Sequence, residues 1–317
     1  MVDENGKPDP LCGFNFKYSI PGSATNRSER AECKMAGDLD LLWAGFADDV
    51  ALFFSNERDL ERGMKLLTDI FTEFDLNLSE KKTETMIFNA VDDDDYPENL
   101  VTINNIPLKN VKKFKYLGSQ IKIDQPNTGD AEIDSRKNIA QSKFESMKTI
   151  LCNQQIHMRT RIMFYNAFIG SRLTYACQTW TLTQAQSAEL DAANTKLLRR
   201  MVRGGHKRRE TPESDEISMA YLHKTPAILK FCQSVPLSTY INSQRTKFVS
   251  HLLRRPNTRQ CKQLLFNNNK YKKTGRRTGT LFEQVVDQSN VSADQFCRES
   301  RAVLEIRTRH ETVPSLV

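Results

Sequence analysis

The spacing of hydrophobic positions along the chain changes near residue 124. Before that point, short runs of β-branched and aromatic residues at 41–54, 101–108 and 114–121 are separated by Asn, Asp and Gly. This pattern predicts strands joined by tight turns. One helix is predicted in this half, with Asn56 as its N-cap. Its apolar positions are Leu60, Met64, Leu67, Ile70 or Phe71, and Phe74.

After residue 124, apolar residues recur three or four positions apart, which predicts helices. The first stripe consists of Ile133, Ile139 or Ala140, Phe144, Met147 and Leu151, and the second of Ile162, Tyr165, Ile169 and Leu173. A third helix is predicted to begin with the capping-box pattern of Thr183 and Gln186 and to stop at Gly204. A further helical segment is predicted over about 226–266. Four aromatic residues are assigned to the core of the bundle rather than to base stacking: Tyr165, Phe168, Tyr175 and Trp180.

Together these patterns predict an α+β fold, in which an antiparallel sheet with a helix precedes a helical bundle and a basic helical tail. The length of 317 residues fits about two domains. The expected divisions are an irregular lead-in at 1–37, the sheet domain at 38–123, the helical bundle at 124–205, and a basic helical segment, partly flexible, at 206–317.

Composition narrows the class of protein. The net charge of +7 and the pI of about 9.0 favour a polyanionic partner. The seven cysteines are scattered singly with no C-x-x-C pair, which disfavours a zinc knuckle or a disulfide scaffold and indicates reduced thiols. The N-terminus has no signal-like segment and no apolar run approaches membrane-spanning length. We therefore expect a soluble, intracellular chain with no membrane partner, in either the nucleus or the cytoplasm.

Two adjacent carboxylates, Asp48 and Asp49, lie in the middle of the apolar run 41–54. Asp tolerates turn geometry and its apolar neighbours do not, so both residues are predicted at a tight turn between two short buried strands. Carboxylates held in this way repel each other and lose solvation, and a divalent cation such as Mg²⁺ would remove both costs. The pair is therefore a candidate for half of a two-metal phosphoryl-transfer site. The alternative is an acidic hairpin turn that faces solvent.

Two stretches of the chain are strongly basic. The third helix of the bundle ends in seven cations within fourteen residues, more than capping requires: Lys196, Arg199, Arg200, Arg203, Lys207, Arg208 and Arg209. From Arg245 to Thr280 there are eleven Lys and Arg residues, no Asp or Glu, and three interleaved aromatic residues. We expect these stretches, including Lys247, Arg254 and Arg255, to contact a nucleic-acid backbone with an affinity that falls as salt rises. A solvated basic face is the alternative.

Several segments resemble, in order and spacing, the C-terminal part of the endonuclease–reverse transcriptase polyproteins of non-LTR retrotransposons, of the LINE type and RTE-like. The sequence F-A-D-D at 46–49 is similar to the catalytic motif C, and F-D-L-N-L-S-E-K-K-T-E at 74–84 to motif D. The sequence F-K-Y-L-G at 114–118 resembles motif E, the primer grip. Residues 175–180 resemble the end of the family's thumb, and residues 245–251 the basic segment that follows it.

The resemblance implies a truncated polymerase palm at 38–123, followed by a helical thumb. Asp48 and Asp49 would ligate the catalytic Mg²⁺ ions. Lys82 would lie near the leaving pyrophosphate, and a surface lysine in a turn is its alternative. The primer terminus would be positioned by Tyr116, Leu117 and Gly118. The implied partners are an RNA template and a DNA primer, with deoxynucleotides bound only where the missing half of the palm is supplied.

The chain also departs from the family pattern. A glycine is usual at the position of Asp75, and residues 1–45 contain neither the upstream catalytic aspartate nor the nucleotide-pocket loop. The expectation is therefore a fragment of a reverse transcriptase, an RNA-directed DNA polymerase by ancestry, that is inactive alone. Whether the chain counts as an enzyme stays open. The alternatives are a non-catalytic nucleic-acid-binding module over 130–280 and a degraded element copy without a function.

Overall fold

The chain folds into two compact units. The computed structural model describes residues 14–20, 35–79, 81–88, 99–103, 106–123, 129–203, 224–266 and 279–301. The first unit comprises Met1–Pro126 and Pro256–Lys273, and the second comprises Asn127–Arg255 and Thr274–Val317. Strands occur in the first unit and helices dominate the second, so the predicted α+β class is confirmed.

The strands are β1 (Phe14–Ile20), β2 (Met35–Leu41), β3 (Trp43–Phe46), β4 (Asp49–Leu52), β5 (Glu84–Thr85), β6 (Asn99–Ile103), β7 (Ile106–Asn110), β8 (Lys113–Tyr116) and β9 (Ser119–Lys122). The helices are α1 (Glu57–Glu73), α2 (Asp130–Ser146), α3 (Lys148–Leu151), α4 (Met158–Tyr165), α5 (Ser171–Leu173), α6 (Gln184–Val202), α7 (Thr225–Phe231), α8 (Leu237–Leu253), α9 (Gln260–Leu265), α10 (Leu281–Ser289) and α11 (Ala293–Arg301). A π-helical turn at Asn166–Gly170 joins α4 to α5, and a 3₁₀ turn lies at Cys177–Thr179. No helix in the described ranges combines the length and the hydropathy needed to cross a membrane.

Strand β1 lies within the segment 1–37, which the sequence predicts to be irregular. It pairs with β2 in an antiparallel arrangement that places Phe14 opposite Leu41 and Ile20 opposite Met35. The sequence FNFKYSI alternates apolar and polar residues with the period of two that is typical of a strand. The prediction of an irregular lead-in is therefore wrong for β1 and for the first residues of β2.

Within the described residues, the strands of the first unit form four small sheets rather than one. Three are antiparallel pairs: β1 with β2, β3 with β4, and β8 with β9. The fourth has the order β5-β7-β6, in which β5 and β7 run parallel. Strands β6 and β7 are the antiparallel pair predicted for 101–108, with Ile103 opposite Ile106.

Helix α1 contributes one side of the small hydrophobic core of this unit. It begins where predicted because the side chain of Asn56 accepts a hydrogen bond of 2.8 Å from the backbone N–H of Asp59. The helix packs against β6. The core consists of buried Met64, Val101 and Leu108, surrounded by the partly buried Leu52, Leu60, Leu67 and Leu78.

The second unit has a larger core, built from the predicted apolar stripes. The residues of those stripes that are almost fully buried are Ile133, Ala140, Phe144, Leu151, Tyr165, Ile169 and Leu173. The predicted capping box is present, because the Thr183 hydroxyl accepts from the N–H of Gln186 at 3.2 Å and the Gln186 side chain accepts from the N–H of Thr183 at 3.0 Å. Helix α6 ends at Val202, and the predicted stop at Gly204 lies outside the described residues.

Helices beyond residue 205 share this core. Ile228 of α7 and Ile241 of α8 are fully buried in the same cluster as Leu198 of α6. Asp191 of α6 accepts hydrogen bonds from the backbone N–H and the hydroxyl of Ser238, at 2.8 and 2.7 Å, at the start of α8. Helices α10 and α11 pack against α8. The bundle therefore includes helices that the sequence assigned to the tail at 206–317.

Candidate functional site

The carboxylate pair lies on a tight hairpin. Strands β3 and β4 pair with Phe46 opposite Asp49, which leaves Ala47 and Asp48 as a two-residue turn. Ala47 has φ of 54°, in the left-handed region that two-residue hairpin turns use. The predicted turn between two strands is confirmed for Asp48, whereas Asp49 is the first residue of β4.

The hairpin is open to solvent. Both carboxylates are exposed, and so are the side chains of Trp43 (62%), Phe46 (67%) and Val50 (54%). The prediction of two buried strands is therefore wrong. The reason is that β3 and β4 form a sheet of two strands, with no third strand from the described residues beside them. Water can solvate both aspartates, so the desolvation cost that motivated a bound cation is absent here.

The donor set at the hairpin is minimal. Among the described residues, no group of three His, Cys, Asp or Glu side chains could hold a metal ion. Asp48 and Asp49 alone fit Mg²⁺ in the mode where one or two carboxylates bind the ion and water or substrate phosphates complete its shell. They do not by themselves make the bridging set of a two-metal site.

A second hairpin is joined to the first. Strands β8 and β9 are connected by Leu117 and Gly118, with φ of 46° and 84°. Positive φ at both positions is the signature of a type I′ turn, and Gly118 adopts it without a Cβ penalty. The hydroxyl of Tyr116 donates a hydrogen bond of 3.1 Å to the carbonyl oxygen of Ala44 on β3. The structure thus brings the predicted primer-grip residue Tyr116 to the strand that precedes Asp48.

Lys82 lies in a turn and is exposed. Its backbone N–H donates to the carbonyl oxygen of Ser79 at 3.0 Å. The backbone N–H and the hydroxyl of Thr83 donate to the same oxygen. No ion pair joins the Lys82 ammonium to Asp48 or Asp49, all three of which are described residues. The contacts of Lys82 are therefore those of a turn lysine.

Some predicted cations of α6 contact neighbouring helices of the bundle. Arg200 is 2.6 Å from the Glu145 carboxylate and lies 4.8 Å from the ring centroid of Phe144. The hydrogen bond to Glu145 is the main reason that the pKa of Arg200 is raised. Arg199 donates to the hydroxyl of Thr225 at 2.8 Å. Both side chains hold α6 to its neighbours, and the Glu145 carboxylate leaves less of the charge of Arg200 for an external phosphate.

The remaining cations of this stretch differ in exposure. Lys196 is exposed, and Arg203 is half-buried at the C-cap of α6. The other three predicted cations lie outside the described residues: Lys207, Arg208 and Arg209.

Helix α8 carries an exposed basic face. The three cations of this stretch that are predicted to contact a nucleic-acid backbone are all exposed: Lys247, Arg254 and Arg255. The Arg255 guanidinium is 3.0 and 3.2 Å from Nε2 of His251, one helical turn earlier. Lys247 and His251 are four residues apart and so lie on the same side of α8, whereas Arg254 is the C-cap and Arg255 follows the helix.

Not every cation of the basic stretch is on the surface. Arg245 is 1% exposed and Lys262 is 2% exposed. Arg245 donates to Asn242 at 3.2 Å and to Gln284, and burial lowers its pKa to about 10. The charge run did not show this, although Arg245 shares a helical face with the fully buried Ile241.

Two aromatic residues assigned to the core are on the surface. Tyr165 and Trp180 are buried, as predicted, but Phe168 is 37% exposed and Tyr175 is 47% exposed. That part of the prediction is wrong. Phe168 lies beside the buried stripe rather than on it, and Tyr175 follows the end of α5.

Comparison with protein-family models, with curated proteins and with solved structures finds no match to this chain. The assignment of function therefore depends on the residues themselves. The hairpin of Asp48, its link to Tyr116 and the exposed cations of α8 are the features from which a function can be argued.

Proposed function

We propose that the first unit carries the carboxylate hairpin of a polymerase palm of the reverse transcriptase type, as in non-LTR retrotransposons. We further propose that the second unit binds nucleic acid. The observation that carries the proposal is the hydrogen bond from Tyr116 to Ala44. It connects the motif that resembles a primer grip to the strand leading into the F-A-D-D turn. Two segments that are 72 residues apart in sequence thus contact each other, which supports the proposal that both belong to one palm.

The proposed chemistry belongs to the exposed carboxylates. Asp48, at the tip of the turn, and Asp49, beside it, would hold one Mg²⁺ together with the phosphates of a nucleotide. The ion would neutralise phosphate charge when bound. Because the described residues supply no third carboxylate at this hairpin, we expect them to bind one metal ion without extending a primer. Extension would require a further carboxylate from another segment or polypeptide.

The metal site can be tested without polymerase activity. Mn²⁺ serves as the probe, and its binding is followed by electron paramagnetic resonance of the full chain, the Asp48→Asn variant and the matched control Asp69→Asn. Asp69 is an exposed aspartate on α1. We expect Asp48→Asn to lose one bound Mn²⁺ that the control retains. Equal Mn²⁺ binding by all three proteins would remove the proposal.

The second candidate function is nucleic-acid binding without chemistry. The specific observation in its favour is the exposed basic face of α8, which needs no metal. Gel-shift titration against salt and primer extension, with the full chain and Asp48→Ala, separate the two proposals. Mn²⁺ binding that depends on Asp48 supports the carboxylate hairpin of a palm even where no primer is extended, and extension that is lost in Asp48→Ala would show in addition that this chain supplies the further carboxylate. Unchanged binding, together with no extension and no Asp48-dependent Mn²⁺, supports the binding module.

A further inference from the structure

Two surface rings of the second unit are each held by a cation. The Arg136 guanidinium lies 4.6 Å from the ring centroid of Tyr175. The Lys143 ammonium lies 5.6 Å from the ring centroid of Phe168. Both cations come from α2, whereas both rings follow α4 in the chain. The same arrangement of a cation and an aromatic ring thus occurs twice on one side of α2.

The ring of Tyr175 packs against a buried ion pair. Arg136 Nε donates to the Glu132 carboxylate at 2.7 Å, and these two side chains are only 5% and 3% exposed. The hydrogen bond to Glu132 therefore orients the Arg136 guanidinium, whose positive charge lies against the ring of Tyr175. Tyr175 itself remains 47% exposed. A flat aromatic surface is thus presented to solvent with little freedom left to lose on binding.

The ring of Phe168 is supported in a similar way. It stacks on Phe164, with ring centroids 6.1 Å apart and an interplanar angle of 15°. Arg136 and Lys143 are seven residues apart, so they lie on one face of α2 and about 10 Å apart along its axis. The two rings that these cations contact therefore lie along the same face of α2, at different positions.

The charge near Phe168 favours an anionic ligand. Arg172 donates to the carbonyl oxygen of Phe168 at 2.6 Å. Neither Arg172 nor Lys143 pairs with a carboxylate in the described part of the chain. The nearby Glu145 is already paired with Arg200. Cations that have no carboxylate partner among the described residues, interleaved with exposed rings, are the combination that binds single strands through bases and phosphates.

We propose that Tyr175 and Phe168 form a base-stacking surface for single-stranded nucleic acid, with Lys143 and Arg172 contacting its phosphates. A duplex offers free base faces only at its ends, so the rings select a single strand. These residues are different from those of the basic face of α8 and of the carboxylate hairpin. It does not depend on metal binding and would stand if the polymerase proposal failed.

The test compares two single-stranded probes on the full chain by fluorescence anisotropy. One is a labelled thymidylate oligonucleotide of about 20 nucleotides, and the other is an abasic oligonucleotide of the same length and charge. We expect Tyr175→Ala and Phe168→Leu each to weaken thymidylate binding by roughly 5- to 150-fold, since stacking is lost. Tyr175→Phe keeps the ring and should bind as the parent does. The matched control Met163→Ala changes an exposed, non-aromatic side chain.

The abasic probe separates stacking from charge. The parent and the ring variants should bind it equally, because it offers phosphates without bases. Thermal unfolding of each variant checks its fold, and two rings at different positions keep the test open if one variant is unstable. Overturning results are parental thymidylate binding by both Tyr175→Ala and Phe168→Leu, an equal loss for both probes, or no thymidylate binding by the parent.

Discussion

The hydroxyl of Tyr116 donates a hydrogen bond of 3.1 Å to the carbonyl oxygen of Ala44 and so joins two hairpins that share no ladder of backbone hydrogen bonds. Ala44 pairs with Ala51 two residues beyond Asp49, and the carbonyl that Tyr116 reaches lies four residues before Asp48. The position of the carboxylate turn relative to the β8–β9 hairpin therefore depends on a side chain.

We predict that Tyr116→Phe lowers the free energy of unfolding of the first unit by about 0.5–1.5 kcal/mol, because it deletes this hydrogen bond and leaves the ring in place. Urea denaturation followed by the fluorescence of Trp43 measures the change. The background is Trp180→Phe, which leaves Trp43 as the single tryptophan because the chain has two.

Tyr116→Leu provides the comparison, since it also removes the stacking of Tyr116 on Phe114, whose ring centroids are 6.5 Å apart. It should unfold at a lower urea concentration than Tyr116→Phe. An unfolding midpoint for Tyr116→Phe equal to that of the parent would contradict the role given to the hydroxyl.

Mutation of an exposed cation of the second unit should weaken DNA binding more than mutation of a cation that is paired with a carboxylate. We predict that Lys247→Gln and Arg254→Gln each weaken binding of a DNA duplex and lower the slope of log affinity against log salt by about one. Arg200→Gln should leave that slope unchanged, because Glu145 already neutralises its guanidinium. Fluorescence anisotropy at several salt concentrations measures both quantities.

The matched substitution makes this comparison sharp, since all three variants lose one formal positive charge. A slope that falls equally in Arg200→Gln and Arg254→Gln would mean that net charge alone controls binding. The exposed position of Arg254 would then carry no special role.

Local signals in the sequence predicted several caps and turns correctly, but the sequence did not always predict which side chains are buried. The cap at Asn56 and the turn at Asp48 depend on neighbouring residues, so a short stretch of sequence contains them. The exposure of Trp43 depends on which strands lie beside β3, which no local pattern records. Arg245 shows the same limit for charge, because counting cations cannot distinguish a buried guanidinium from an exposed one.

The candidate site divides in the same way. The resemblance of motifs identified Asp48 and Tyr116 from sequence, but the hydrogen bond through Ala44 required the structure. Phe168 and Tyr175 carry no signal that separates them from core aromatics, since helical spacing alone places Phe168 next to the buried stripe. The structure shows that Tyr175 lies beyond the end of α5 and that both rings are exposed beside cations of α2.

The buried thiols predict how stability depends on pH. Burial raises the pKa of Cys177 and of Cys232 to about 12, from an ordinary value of 9.0. The unfolded chain releases these protons near pH 9 while the folded chain keeps them, so the folded state binds more protons between pH 9 and 12. Stability from these thiols is fully present below pH 9 and is lost as pH rises toward 12.

We predict that Cys177→Ala reduces the loss of unfolding free energy between pH 8 and pH 10 by about 1 kcal/mol relative to the parent. Urea denaturation at each pH measures it, and the difference between the two pH values cancels any cavity left by the substitution. Cys261→Ala is the control, because Cys261 is exposed. A pH dependence of Cys177→Ala identical to that of the parent would contradict the burial of this thiol.

The capping box of α6 offers the last test, because this helix contributes to the core and presents Lys196 to solvent. We predict that Thr183→Ala lowers the free energy of unfolding of the second unit by about 1 kcal/mol, since the N–H of Gln186 then loses its acceptor. Thr183→Ser keeps the hydroxyl and should cost only a fraction of that. The measurement is urea denaturation followed by the buried Trp180 in a Trp43→Phe background. Equal destabilisation by alanine and serine would assign the effect to the lost methyl group rather than to the cap.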